Sequence, residues 1–174
     1  RMDRTAGMLV RAENPLIVPG FTGRYAESVE TLVGLAESLC APVLTGPQRM
    51  NFPTTHPLCA GIEKGVGNRR PNPHISEADV ILALDFDMQY APAMDVPRPE
   101  ARIIHIGVDP TTQGIPLWGR KTDIFIKADT REAIPALKEL IDRRLNGTAR
   151  AALGKRFVRL EETHKKMRDG YRSL

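Results

Sequence analysis

Only two cysteines, four histidines and 5% aromatic residues occur among the 174 residues, and no apolar run approaches the ~20 residues that a membrane helix needs. Each scarcity removes a class of function. Cys40 and Cys59 form no Cys-x-x-Cys pair, so they read as reduced structural thiols of a cytoplasmic protein rather than as a disulfide or a nucleophile. His56, His74, His105 and His164 show no metal-ligand spacing, and His105 falls inside a strand pattern, where a core histidine is expected. No Gly-x-Ser-x-Gly elbow, His-Glu-x-x-His helix or Walker loop is present, so catalysis has no visible owner.

Positive charge is also missing where a nucleic acid would need it. The net +4 is concentrated in the tail: from Arg150 onward eight Lys/Arg stand against three Asp/Glu, leaving 17 basic and 18 acidic residues before it. A nearly neutral globular part without interleaved basic and aromatic residues excludes nucleic acid as a partner, and the hydropathy excludes a membrane. The chain opens on Arg1 with no signal pattern, which reads as a piece of a longer polypeptide.

What is present is a succession of short branched apolar runs. Leu16-Ile17-Val18, Pro42 to Gly46, a short edge segment within His56 to Ile62, Val80 to Leu84, Arg102 to Val108 and Ile124 to Ile126 read as strands. A brief helix is expected to open the His56–Ile62 stretch. Between the runs lie helical patterns at residues 2–12, 25–39 and 131–145, one helical turn at Ile75 to Ala78, a loop from Glu63 to Pro73, a Pro-rich connector from Ala91 to Pro99 and a turn region holding Trp118. Runs apolar on both faces and separated by crossovers predict an α/β fold: a doubly wound parallel sheet of about six strands, order 3-2-1-4-5-6, with helices on both faces. After Asn146-Gly147 a further helix carries Leu153, Phe157, Leu160, His164, Met167, Tyr171 and Leu174 at alternating four and three spacing. This stripe calls for a partner surface: its own domain, a second chain or the remainder of the polypeptide. With Gly154 and Gly170 weakening the helix, a docked linker is expected, built for another surface, so that removing it leaves the core folded.

In such sheets ligands sit at the carboxyl ends of the strands, beside the point where strand order reverses, here between the first strand and Val80–Leu84. The candidate residues there are Gly20, Phe21, Thr22 and Arg24 after the first strand, with Thr45, Asp109 and Asp129 after later ones. Gly20-x-x-Gly23 fits either a phosphate loop, with Arg24 as a phosphate contact, or a plain glycine turn, because the full Gly-x-Gly-x-x-Gly spacing is absent. Asp109 fits either a ribose hydroxyl or an Asp-Pro turn. Asp85 and Asp87 would repel a diphosphate unless a cation intervened, and capping or loop bonding is their expected role.

Five stretches in order, Asn14-Pro-Leu-Ile-Val-Pro-Gly20, Ala36-Glu-Ser-Leu-Cys-Ala-Pro-Val-Leu-Thr45, His56-Pro-Leu-Cys-Ala-Gly61, Ala78-Asp-Val-Ile-Leu-Ala-Leu84 and Ile103-Ile-His-Ile-Gly-Val-Asp-Pro110, together resemble the central domain of thiamine-diphosphate-dependent enzymes of the acetolactate synthase type. The likeness runs from about Asn14 to Leu145. It implies a domain at 14–146, a linker helix at 1–13 from a preceding domain and a helical linker at 147–174 towards a following one. In that family the first domain carries the activating glutamate and the third a Gly-Asp-Gly stretch for Mg²⁺ and the diphosphate; here the only Asp-Gly is Asp169-Gly170, without the leading glycine.

The resemblance therefore implies a scaffold and subunit-contact role in an enzyme that decarboxylates a 2-oxo acid and ligates the product to a second carbonyl. Thiamine diphosphate and Mg²⁺ would be held by the flanking domains, in a homo-oligomer (dimer or tetramer), and the isolated piece is expected to be inactive. Some relatives hold FAD or ADP in this domain and others nothing. Pro19-Gly20-Phe21 stands where flavin-type members have Gly-Gly-Gly; Thr45 and Gly61 keep their places, with Ile62-Glu63-Lys64 replacing Met-His-Gly. Asp85-Phe86-Asp87 replaces Gly-Ala-Arg-Phe-Asp, and Asp109 and Asp129 match acids at the last two strand ends. The lost arginine and gained carboxylates argue against FAD. Two rival readings are a freestanding module for FAD, ADP or NAD and a purely structural interaction domain.

Overall fold

The computed structural model describes residues 1–46, 50–62, 72–86, 96–109, 111 and 121–172. Its elements are α1 (Met2–Arg11), β1 (Pro15–Pro19), a 3₁₀ turn (Thr22–Arg24), α2 (Ala26–Leu39), β2 (Val43–Thr45), β3 (Cys59–Ile62), α3 (Pro73–Glu77), β4 (Val80–Leu84), β5 (Arg102–Gly107), β6 (Ile124–Lys127), α4 (Thr130–Asp142) and α5 (Gly147–Arg172). All strand pairs are parallel and the sheet runs β3-β2-β1-β4-β5-β6, the predicted order. Among the described residues the segment before β3 forms turns, not the expected brief helix; Cys59 N–H instead bonds the His56 carbonyl at 2.9 Å.

Strands β1, β2 and β4 are buried along their whole length because both faces are covered, whereas edge strand β6 alternates buried and exposed residues. Ile17, Leu82, Leu84, Ile104 and Ile106 look onto one core with Leu32, Leu35 and Leu39 of α2 and Ile134, Leu137 and Ile141 of α4, joined by Leu9 of α1. The alternate residues Leu16, Val18, Ile81, Ala83 and Ile103 form a second core with Ile75 of α3. Helix α4 begins at Asp129, whose carboxylate caps the Arg131 N–H at 2.9 Å, and its last turn tightens as Arg144 N–H reaches the Ile141 carbonyl at 2.8 Å. The helix accordingly stops before the predicted Leu145. Helix α2 ends on Cys40 in the left-handed conformation (φ 44°), its N–H returned to the Ala36 and Glu37 carbonyls.

The tail departs from its reading as a surface for something else. Leu160 and His164 are buried against this same domain, with Leu153, Phe157 and Met167 half-buried on the same stripe. His164 Nδ1 donates to the Cys59 carbonyl of edge strand β3 at 3.0 Å. Arg156 donates to the carbonyls of Leu39 (3.0 Å) and Ala12 (2.7 Å), the closing residues of α2 and α1. A cation at two helix carboxyl termini meets orphan carbonyls and the negative ends of both dipoles, which fixes where α5 lies. Asp87, Pro110, Trp118, Leu174, the loop at 63–71 and the first half of the Pro-rich connector lie outside the described residues.

Candidate functional site

The site that the fold rule singles out lies where β1 and β4 end side by side. The chain closes it by backbone contact: Gly20 N–H bonds the Leu84 carbonyl and Phe21 N–H the Asp85 carbonyl, both at 2.9 Å. A Cβ on Gly20 would stand 2.3 Å from the Asp85 carbonyl oxygen and 2.5 Å from Phe86 Cδ2, and one on Gly23 would stand 2.0 Å from the Met50 carbonyl oxygen. Both glycines are therefore required by close approach of protein to protein, which favours the turn over the phosphate loop. Asn51, fully buried, completes the closure: its Nδ2 donates to the Gly20 carbonyl at 2.7 Å and its Oδ1 accepts from Gly23 N–H at 2.7 Å. Thr22 Oγ1 donates to the Leu84 carbonyl at 3.3 Å.

Asp85 is the electrostatic centre of this knot. Its backbone is left-handed (φ 46°), a conformation that aspartate tolerates better than most residues, and its side chain is 3% exposed. Oδ2 accepts from the Thr130 hydroxyl at 2.5 Å and lies 3.3 Å from an Arg24 nitrogen. Oδ1 is buried with no partner among the described residues. Thr130 opens α4, so the carboxylate also sits at the positive end of a 13-residue helix. Arg24 reaches Asp129 at 4.0 Å, Arg131 pairs Asp129 at 3.0 Å, and the two arginines lie over Tyr25 at 5.3 and 4.0 Å from its ring centre. The side-chain and backbone hydrogen bonds from Arg131 hold the Asp129 carboxyl below its ordinary range.

Of the sequence candidates, Gly20, Phe21, Thr22, Arg24 and Asp129 are thus brought together, and the other two are not part of this knot. Thr45 closes β2, its hydroxyl donating to the Gly61 carbonyl of β3 at 3.4 Å, and Asp109 is exposed after β5, accepting from Thr111 at 3.1 Å. The expected repulsion from Asp85 is cancelled by an internal cation, Arg24, the residue offered for phosphate. Sequence reasoning missed Asn51 and Thr130, since a lone Asn or Thr next to a turn carries no chemical spacing. The cysteines are buried, and burial pushes both thiols up, against thiolate chemistry. His105 is buried in β5 and has a partner.

Thiamine diphosphate finds no fit in these residues. A carboxylate already occupies the anion position at the switch point, and among the described residues no three His, Cys, Asp or Glu lie close enough to hold a metal ion. No helix among them is long and apolar enough to cross a membrane.

Known proteins are similar to this chain over most of its length. A sulfoacetaldehyde acetyltransferase of Rhodobacter capsulatus is 34% identical over 120 residues, covering 66% of this chain and 20% of that protein. An acetolactate synthase of Mycobacterium avium is 29% identical over 139 residues, covering 78% and 22%. The chain thus spans about a fifth of the curated relatives it matches. Among solved structures, the benzoylformate decarboxylase of Polynucleobacter necessarius superposes with a TM-score of 0.63 at 21% identity, over 80% of this chain and 26% of that one, a likeness of fold. The family model described as thiamine pyrophosphate enzyme, central domain, matches residues 2–137, and the six-stranded parallel order is the one its motifs imply: the chain belongs to that family.

Proposed function

We propose that this chain is the non-catalytic middle unit of a thiamine-diphosphate-dependent enzyme that decarboxylates a 2-oxo acid and joins the product to a second carbonyl. Flanking domains, linked through residues 1–13 and 147–174, supply the thiamine diphosphate and Mg²⁺ sites; this unit supplies subunit contacts in a cytoplasmic homo-oligomer and a wall of the substrate channel. Gly20, Phe21, Thr22, Arg24, Thr45, Asp109 and Asp129 belong to a vestigial nucleotide crevice. The observation that carries this reading is the Arg24–Asp85–Thr130 cluster. A diphosphate entering there would have to separate Arg24 from a carboxylate that water barely reaches, and breaking such a pair costs on the order of 3–5 kcal/mol. ADP or FAD would regain part of that from Arg24 while leaving Asp85 buried beside a second anion.

Calorimetric titration of the 174-residue chain with thiamine diphosphate plus Mg²⁺, with ADP and with FAD tests the scaffold role. No binding heat is expected; micromolar binding of any of them overturns it. In the complete polypeptide, carbon dioxide release from a panel of 2-oxo acids should require thiamine diphosphate, and turnover without it would remove the enzymatic assignment.

A further inference from the structure

At the opposite end of the sheet a cavity of about 280 Å³ opens between α3 and α5, bounded by Pro15 and Pro42 at the starts of β1 and β2. Its polar walls are Arg156, Arg159 and Thr163 of α5 and His74 and Glu77 of α3. The charges here do not cancel as they do around Asp85. Among the described residues neither Arg156 nor Arg159 has a carboxylate within ion-pair distance, and Arg156 donates there to the Leu39 and Ala12 carbonyls, leaving three of its five N–H donors. Asp79, the nearby acid, already accepts from the Glu13 and Asn14 N–H groups at 2.7 and 2.9 Å. Arg159 adds its positive charge to the field at both Arg156 and His74, opposed at His74 by Glu77. Like charges gathered in a concave, partly desolvated place repel unless an anion joins them.

We infer that the cavity between α3 and α5 is a binding site for a compact oxyanion of the phosphate or sulfate type, held by Arg156, Arg159 and His74, while the Thr163 hydroxyl on the same wall donates to the Arg159 carbonyl at 2.9 Å. Its volume is that of about nine waters at ~30 Å³ each, room for a tetrahedral ion with its bridging waters or with a short organic substituent. Guanidinium groups suit such ions because their planar forks offer paired N–H donors. Since two of the walls are α5 and the domain it docks on, the bound anion stabilises the docked tail. This assignment is independent of what the crevice at the other end does.

The test is a sulfate titration of the 174-residue chain at constant ionic strength, balanced with sodium chloride and followed by amide NMR. Sulfate keeps its charge across neutral pH, so any response belongs to the protein. Saturable shifts confined to 73–78 and 156–163 are expected, and Arg159→Gln should weaken binding by roughly fivefold, as for loss of one charge pair, while Arg159→Lys retains most of it. Arg159 is exposed and its side chain makes no hydrogen bond among the described residues, so both variants keep the fold. Tighter binding of methyl phosphate than of inorganic phosphate would assign the site to a phosphorylated metabolite, and the reverse to the free ion. Linear shifts shared with chloride, or affinity unchanged in Arg159→Gln, would overturn the proposal.

Discussion

The two ends of the sheet hold charge in opposite ways. At the carboxyl ends of β1, β4 and β6 each acid has a cation, with Asp85 held by Arg24 and the Thr130 hydroxyl and Asp129 between Arg24 and Arg131. At the amino ends Arg156, Arg159 and His74 converge with Glu77 as the acid on the cavity wall. The α/β fold places its usual ligand crevice at the first of these, yet there the protein has provided its own anion; the second, which the fold rule does not single out, has its cations to spare. Topology decides where a crevice forms, and side-chain neutralisation decides whether anything outside the chain has reason to enter it.

The largest effect should come from unbalancing the neutral end. Arg24→Met leaves Asp85 buried with only a hydroxyl partner and should cost about 3 kcal/mol, lowering the thermal midpoint by roughly 6–12 °C in a chain of this size. Adding Asp85→Asn, which tolerates the left-handed backbone, should restore most of that loss. If the double variant is no more stable than the single one, the pair is not what holds the crevice shut, and the contrast between the ends fails.

A smaller and more local change is expected at the cationic end. Arg156→Met removes two charge-assisted bonds to helix-terminal carbonyls, about 2 kcal/mol, and should speed amide hydrogen exchange in α5 about thirtyfold while that of β1, β4 and β5 stays unchanged. Uniform acceleration across the sheet would mean that α5 is part of the core rather than a docked element.

The smallest effect is a pH dependence. Burial pushes the His74 imidazole below its ordinary value, Glu77 opposes this and Arg159 adds to it. A histidine with a depressed folded pKa binds its proton better when unfolded, so its effect on stability is absent above the unfolded pKa. Stability falls as pH drops through the window between the two values. Differential scanning from pH 7.5 to 5 should show this decline, reduced by sulfate if an oxyanion occupies the cavity. A His74→Gln variant with an identical profile would assign the decline to another group.

Much of the architecture was legible from periodicity. Apolar runs such as Val80–Leu84 cannot be half-exposed, so the covered parallel sheet and its order followed from run lengths and crossovers. The stripe of Leu153, Phe157, Leu160, His164 and Met167 was also legible as a docking face, but not its receiver. That depends on Arg156 meeting carbonyls of residues 39 and 12, a contact across more than a hundred residues that leaves no local pattern. The candidate crevice was half legible. Gly20, Arg24 and Asp129 were placed by the strand ends, whereas the reversal of Arg24's role rested on Asn51, Thr130 and the backbone turn of Asp85, none of which has a sequence signature.

By itself the sequence determined the class of fold, the reversal of strand order beside β1 and membership in a family whose catalytic motifs it does not carry, because hydrophobic period and motif order are properties of the chain read along its length. Tertiary structure alone decided which charges meet. Arg24 and Asp85 are about sixty residues apart and cancel, Arg156 and Arg159 are brought against His74 from farther along the chain with no carboxylate in ion-pair distance among the described residues, and electrostatic energy depends on separation through space, which linear order does not contain.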